Sequence, residues 1–225
     1  SRISVVVRCR PLSENERVCN VQDIVRILDN RLVILLDPNV NASNDYLRQD
    51  KSKEKRFAFD QAFAGDVGTQ EVFEATTKPL IGAVMQGYNA TVFAYGSTGA
   101  GKTFTMIGTQ QEPGVMLRTV EGLFASLSAL RDQEDVQGVT LKCSFVEVYN
   151  ENLRDLGSKD GKDGILDLRE DPVAGTSVSG VTVIHAESAE EVMVMLERGN
   201  VRRTTEPTAM NVTSSRSHAV LHLQD

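Results

Sequence analysis

The stretch that most constrains this chain is a glycine-rich segment that runs Gly96-Ser97-Thr98-Gly99-Ala100-Gly101-Lys102-Thr103. It fits the P-loop pattern G-x-x-x-x-G-K-[ST], in which backbone N–H groups wrap a polyphosphate. The pattern predicts that Lys102 reaches the β- and γ-phosphates and that the Thr103 hydroxyl ligates Mg²⁺. An ordinary glycine-rich turn is the competing interpretation, so the flanking sequence has to decide between the two.

The residues on either side of the loop favour a phosphate site. Residues 91–95 read Thr-Val-Phe-Ala-Tyr, a β-branched and aromatic run that predicts a buried strand. Residues 102–107 contain no glycine or proline, so they can begin a helix. A strand, a glycine loop and a helix in this order direct a helix N-terminus at phosphate.

Composition narrows the class of protein. The 225 residues suffice for one large domain or part of one. Cys9, Cys19 and Cys143 are widely spaced and form no C-x-x-C pair, which favours a reducing compartment over a disulfide framework or a zinc site. A formal net charge of −7 argues against a broad nucleic-acid-binding face. No apolar run approaches the roughly 20 residues of a membrane span, so we expect neither a nucleic acid nor a membrane as partner.

Strands and helices alternate along the chain, which indicates an α/β fold with a central sheet. Apolar and period-two runs predict strands at 3–10, 24–28, 32–36, 57–60, 139–149, 165–168 and 181–184, with a tight turn at 29–31. Helical spacing predicts helices at 69–86, at 115–131 and from 188 onward. Thr69 is the expected N-cap of the first helix, and Pro79 should interrupt it. Gly199-Asn200 should weaken or end the third helix.

A polar stretch at 37–56 ends in the charged run 51–56 and predicts a long surface loop. It is either a solvated insertion or a basic segment that contacts an acidic partner.

A second informative stretch is Asn211-Val212-Thr213-Ser214-Ser215-Arg216-Ser217-His218. Hydroxyl groups supply ligands for Mg²⁺ or phosphate, and the arginine supplies a fixed, forked charge. This composition is typical of a loop that senses a γ-phosphate and reorders on hydrolysis. A polar turn capped by serines remains the alternative for the stretch taken alone.

Taken together, these motifs resemble the motor domain of kinesins. Four of them carry the match in order: Arg8-Cys9-Arg10-Pro11, the P-loop preceded by Ala94-Tyr95, the segment Glu147-Val148-Tyr149-Asn150-Glu151, and the 211–218 stretch as switch I. Finer details at 76–79, 87–91, 112–116 and 207–211, and the long loop after Pro38, are most similar to the kinesin-8 subfamily. The resemblance covers the whole chain.

The resemblance implies an ATP/ADP and Mg²⁺ site on a central, mostly parallel sheet flanked by helices. Residues 96–103 would hold the phosphates, with Phe104 next to them. Arg8, Arg10, Pro11 and Tyr95 would line the adenine pocket, and Thr103 with Ser215 would complete the Mg²⁺ shell. The groups implied in hydrolysis are Lys102, Asn211, Ser214, Ser215 and Arg216. Lys102 is then an electrostatic group, since phosphoryl transfer to water needs positioning and charge neutralisation.

The family pattern continues beyond what these 225 residues contain. No D-x-x-G follows the 211–218 stretch, where the family places its second switch motif, and the main microtubule-binding elements and the neck linker that come after it are not among these residues. We therefore interpret residues 1–225 as the N-terminal two-thirds of a single motor domain, truncated after switch I, and expect this fragment alone to be poorly active. The full-length protein would be a homodimer through a downstream coiled coil.

Two functional hypotheses follow. The first is an ATP-dependent motor that binds tubulin and moves along or regulates microtubules, in the cytoplasm on the cytoskeleton, with the nucleus or spindle as alternative sites. The second is a nucleotide-binding pseudo-motor or a structural microtubule-associated module without turnover. Asn152 and Ser179 stand where family members often place lysines, which lowers the expected track affinity. Under this resemblance, the two interpretations of the basic run 51–56 are evenly balanced.

Overall fold

A computed structural model of the chain describes residues 3–37, 54–131, 141–158, 165–172, 175–204 and 217–224. The chain divides into two units: unit 1 contains Ser1–Ala83 and Asn89–Val115, and unit 2 contains Val84–Tyr88 and Met116–Asp225. Across the described ranges, no helix has the length and apolar character needed to cross a membrane.

Unit 1 contains two small sheets. Its strands are β1 (Val6–Arg8), β2 (Val25–Leu28), β3 (Leu32–Leu36), β4 (Glu54–Ala58) and β5 (Gln61–Phe63). β1 pairs with β5 in parallel, and β2, β3 and β4 form an antiparallel sheet. The predicted tight turn at 29–31 is confirmed: it joins β2 to β3 as a hairpin, and Asp29 and Asn30 in it adopt φ values of 53° and 54°.

Four helices belong wholly or mainly to unit 1. They are α1 (Glu14–Val18), α2 (Thr69–Thr76), α3 (Lys78–Val84) and α4 (Lys102–Met106). The predicted break before Pro79 is confirmed, because Thr77 separates α2 from α3. Proline is tolerated in the first turn of α3, where its missing N–H has no intrahelical partner. The expected N-cap is off by one residue: Gly68 is the cap, and Thr69 is the first helical residue.

The strand predicted for residues 91–95 is wrong. These residues adopt no strand, and Phe93 and Tyr95 are 79% and 95% exposed. The β preference of aromatic and β-branched side chains depends on packing against neighbouring strands, and no described strand pairs with this segment.

Unit 2 is organised around one long strand. Its elements are α5 (Val115–Arg131), which begins at the boundary, β6 (Leu141–Tyr149), β7 (Asn152–Asp155), β8 (Ile165–Asp171), β9 (Gly175–Ser179), β10 (Ile184–Ala186), α6 (Ala189–Thr204) and β11 (Ser217–Gln224). The sheet order is β10-β6-β7-β8-β9, with β11 also paired to β6. The predicted α5 is confirmed.

The expectation of a mostly parallel sheet does not describe these pairings. Every described pairing in unit 2 is antiparallel, and β1–β5 is the one parallel pair among the described strands. Antiparallel neighbours can be joined by short hairpins, whereas parallel strands need long crossover connections. The connection between β6 and β7 is such a short hairpin, since its turn consists of Asn150 and Glu151, both at positive φ.

Three predicted strand positions are also wrong. The expected strand at 57–60 is β4 at Glu54–Ala58, so part of the charged run 51–56 lies in a strand rather than a loop. The sequence predicts no strand at 175–179, where β9 pairs with β8 over five residues. The strand expected at 181–184 begins only at Ile184. Pairing with the neighbouring strand decides where each of these strands begins and ends. A period-two hydrophobic pattern does not reveal this pairing when both faces of the strand are polar.

The core of unit 2 lies between α6, α5 and β6. Its buried members are Val120, Leu127, Leu141, Cys143, Phe145, Leu156, Ala186, Val192, Met195 and Leu196. Cys143 is fully buried, and burial raises the pKa of its thiol to about 12. Gly199-Asn200, predicted to weaken or end this helix, does not end it, because α6 continues to Thr204. Gly199 lets the helix backbone approach Phe145 closely: a Cβ at this position would lie 2.6 Å from Phe145 Cδ1.

We predict that Gly199→Ala destabilises the protein. The added methyl group would collide with the buried Phe145 ring, and overpacking of this kind costs roughly 1–3 kcal/mol. The better helix propensity of alanine offsets up to about 1 kcal/mol of this cost. Urea denaturation followed by circular dichroism measures the change.

Gly82→Ala in α3 is the matched control, because its new Cβ meets nothing within 4 Å. It should leave the free energy of unfolding unchanged or raise it by up to about 1 kcal/mol. Equal stability of the two variants would show that the contact between α6 and Phe145 is looser than described.

Candidate nucleotide-binding site

The P-loop backbone depends on two glycines in the left-handed region. Gly99 has φ 81°, and Gly101 has φ 89°. A side chain at either position would be strained, which explains the glycine that precedes Lys102 in the motif, and Gly99 adds a second such residue at a position that the motif leaves free. Gly101 caps α4, so the helix begins directly at Lys102 and Thr103. The predicted helix after the loop is confirmed, although it has only five residues.

Lys102 bends back over the loop that precedes it. Its ammonium Nζ donates to the carbonyl oxygens of Gly96 and Ser97, both at 2.9 Å. The Lys102 ammonium charge is therefore held against the first two residues of the loop by neutral carbonyl acceptors. Phosphate oxygens are anionic acceptors, and charge-assisted bonds to them are about twice as strong as neutral ones, so this lysine can exchange its partners for a polyphosphate at a net gain.

Arg8 connects the end of β1 to the helix that leaves the P-loop. Its Nη1 donates to Thr105 Oγ1 at 3.1 Å, and its Nη2 donates to the Val67 carbonyl at 3.0 Å. The guanidinium lies 5.2 Å from the centre of the Phe104 ring, within cation–π range. Burial lowers the pKa of Arg8, and the nearby Glu112 carboxylate raises it. The structure thus brings Arg8, predicted to line the adenine pocket, against Phe104, predicted to lie next to the phosphates.

The other residues predicted around the base are placed differently. Arg10 forms a bidentate pair with Glu16, with N–O distances of 2.7 and 2.6 Å. This pair, together with the Ser13 backbone N–H, lowers the pKa of Glu16 to about 2. Pro11 and Tyr95 are exposed, and Tyr95 has almost no packing around its ring.

Thr103 is the described part of the predicted Mg²⁺ site. Its side chain is exposed in the first turn of α4. Among the residues that the structure describes, no three His, Cys, Asp or Glu side chains converge on a possible metal site. Mg²⁺ that arrives with a nucleotide keeps water and phosphate ligands and needs few groups from the protein. A single accessible hydroxyl beside a phosphate loop fits that role.

The predicted switch I residues lie outside the described part of the chain. They are Asn211, Ser214, Ser215 and Arg216.

The described flank of this stretch is firmly held. The Ser217 hydroxyl donates to the Glu147 carboxylate and accepts a bond of 3.0 Å from Arg203 Nη2. Arg203 Nε lies 3.5 Å from Glu147 Oε1, and Glu147 is only 4% exposed. This buried network connects α6, β6 and the first residue of β11. Sequence reasoning did not single out Arg203, since one arginine in a helix gives no signal of a buried partner.

Comparison with known proteins supports the interpretation of the motifs. The family model of the kinesin motor domain matches residues 8–224. Kinesin-like protein KIF19 of Xenopus laevis is 43% identical over 222 residues, which cover 99% of this chain and 22% of that protein. Kinesin-like protein KIN-8B of Arabidopsis thaliana is 44% identical over 223 residues, covering 98% of this chain and 26% of that protein. The chain thus spans about a quarter of the length of these curated relatives.

A solved structure shares the fold. It is residues 391–772 of KIF14, a dimer in the two-heads-bound state with AMP-PNP, in complex with a microtubule. The match has a TM-score of 0.82 at 33% identity and covers 99% of this chain and 60% of the other. The α/β fold prediction and the resemblance to kinesin-8 are confirmed by these relatives. The chain belongs to the kinesin motor domain family.

Proposed function

We propose that the protein carrying this chain is an ATP-driven microtubule motor of the kinesin-8 group. The observation that carries the proposal is the P-loop itself. Two left-handed glycines shape the loop, and the Lys102 ammonium lies at its mouth within a chain of the kinesin family. Binding of AMP-PNP in the similar KIF14 structure supports the choice of an adenine nucleotide.

Nucleotide binding in this proposal uses described residues of unit 1. The backbone N–H groups of 96–103 hold the phosphates, and Lys102 leaves its two carbonyl partners for the phosphate oxygens. The Thr103 hydroxyl contributes a ligand to Mg²⁺, which neutralises phosphate charge when bound. Arg8 and Phe104 face the base, with Arg10, Pro11 and Tyr95 as further candidates.

Hydrolysis would need the switch I residues in addition. Asn211, Ser214 and Ser215 position the attacking water, and Arg216 holds the closed arrangement. Because phosphoryl transfer depends on positioning and electrostatic stabilisation, none of these residues has to act as a covalent nucleophile.

The proposed partner is the microtubule. The KIF14 structure that this chain resembles was determined on a microtubule. A microtubule partner places the protein on the cytoskeleton, and we propose that the complete protein acts as a homodimer.

We predict that Lys102→Ala in the full-length protein abolishes microtubule-stimulated ATP hydrolysis. Loss of one preorganised charge at the transferring phosphate should lower kcat by at least about 100-fold. Phosphate release with and without microtubules measures the effect.

The matched control is Lys78→Ala, which removes an exposed lysine of α3 from its 4.0 Å pairing with Glu74. This variant should retain parental turnover. Unchanged turnover of Lys102→Ala would contradict the role of Lys102. A parent protein that binds ADP without any turnover would favour the non-hydrolysing module instead.

A second prediction concerns the track. Asn152 is exposed at the start of β7, and Ser179 ends β9. Asn152→Lys with Ser179→Lys should tighten microtubule binding by about two- to fivefold, as expected for exposed charge contacts of roughly 0.5–1 kcal/mol. Co-sedimentation with AMP-PNP measures the affinity.

The control replaces the same two residues with glutamine, which adds bulk without charge. The gain of the lysine variant should shrink as salt rises, because exposed charges are screened. A glutamine variant that binds as tightly as the lysine variant would argue against a track contact through charge.

A further inference from the structure

The carboxylate of Glu112 lies between two elements beside the nucleotide site. Its Oε1 accepts a bond of 2.8 Å from the backbone N–H of Thr69, the first residue of α2. The same oxygen lies 3.9 Å from Nη2 of Arg8. Gly68, the N-cap of α2, provides no side-chain bond to the helix, so Glu112 supplies the cap from 43 residues away.

A tight turn holds Glu112 in this position. Gly108 bridges to Pro113, and the backbone N–H of Thr109 donates to the Glu112 carbonyl at 2.9 Å. The Thr109 hydroxyl accepts a bond of 3.1 Å from the Glu112 N–H. A Cβ on Gly108 would lie 2.2 Å from the Glu112 carbonyl oxygen, so this turn has no space for a side chain there. The turn therefore fixes the backbone from which the Glu112 carboxylate extends.

Arg8 is the residue through which Glu112 can affect the site. The Arg8 side chain is only 13% exposed and lies against Phe104 and Thr105, directly after Lys102 and Thr103. A partly buried cation is costly without a nearby negative charge. In the part of the chain that the structure describes, Glu112 is the carboxylate that pairs with Arg8.

We propose that Glu112 is a positioning residue for the nucleotide base. It holds the Arg8 guanidinium in one orientation against Phe104, so that the base meets a preorganised surface. The inference rests on the proposed nucleotide site and adds a residue that no sequence motif marks. Because Glu112 acts through Arg8, it affects contacts to the base and leaves contacts to the phosphates unchanged.

The test is Glu112→Gln in the full-length protein. Glutamine keeps an oxygen for the Thr69 N–H but removes the charge that faces Arg8. ADP affinity should fall by about three- to tenfold, the size expected for losing one partly screened charge pair. The affinity for inorganic pyrophosphate should change by less than about twofold, since pyrophosphate contacts only the phosphate loop. Competition against a fluorescent ADP analogue measures both.

Two further variants separate positioning from general damage. Glu71→Gln removes an exposed charge from the first turn of α2 and should bind both ligands like the parent. In an Arg8→Gln background, which removes the guanidinium charge, Glu112→Gln should cause no further loss of ADP affinity, because residues that act through one contact are not additive.

Equal weakening of ADP and pyrophosphate, or parental ADP affinity in Glu112→Gln, would overturn the inference and leave the proposed function intact. A parent protein that binds neither ligand would overturn both.

Discussion

The guanidinium of Arg8 is the contact on which the candidate site depends. It is mostly buried, and it joins the end of β1 to Val67 before α2 and to Thr105 in α4. A buried arginine persists only where its donors are satisfied and its charge is balanced. Because Thr105 lies two residues after Thr103, this contact relates the sheet to the exit of the phosphate loop. The loop glycines give the chain its curvature, and Arg8 bonds to the helix that follows the loop.

Features with strong local signals were predictable from the sequence. Three local patterns each indicate one local structure, and the structure shows all three: the P-loop motif, the apolar stripe of α5 and the turn at Asp29 and Asn30. The resemblance to kinesins implied nucleotide-binding roles for Arg8 and Phe104, and the structure places the two side chains in contact. The local sequence did not, however, predict the partners of these side chains.

Features that depend on distant partners were not predictable. Residues 91–95 have the composition of a strand, but no described strand pairs with them, so their propensity has no effect. Gly199 is a helix breaker by propensity, yet the close approach of α6 to Phe145 keeps it inside the helix. The contacts of Glu112 and the network of Glu147, Arg203 and Ser217 join residues far apart in the chain. Burial and tertiary contact decide these cases, and a single sequence does not display them.

The proposed motor function depends on the segment 96–103 binding the phosphates of an adenine nucleotide. Hydrogen–deuterium exchange of the full-length protein with and without Mg·ADP tests it most directly. Binding of Mg·ADP should slow exchange of the amides between Gly96 and Thr103, since these N–H groups become donors to phosphate oxygens. Slower exchange at residues 104–108 should accompany it as α4 is stabilised. ADP binding that leaves exchange in 96–103 unchanged would contradict the account, because the nucleotide would then lie elsewhere.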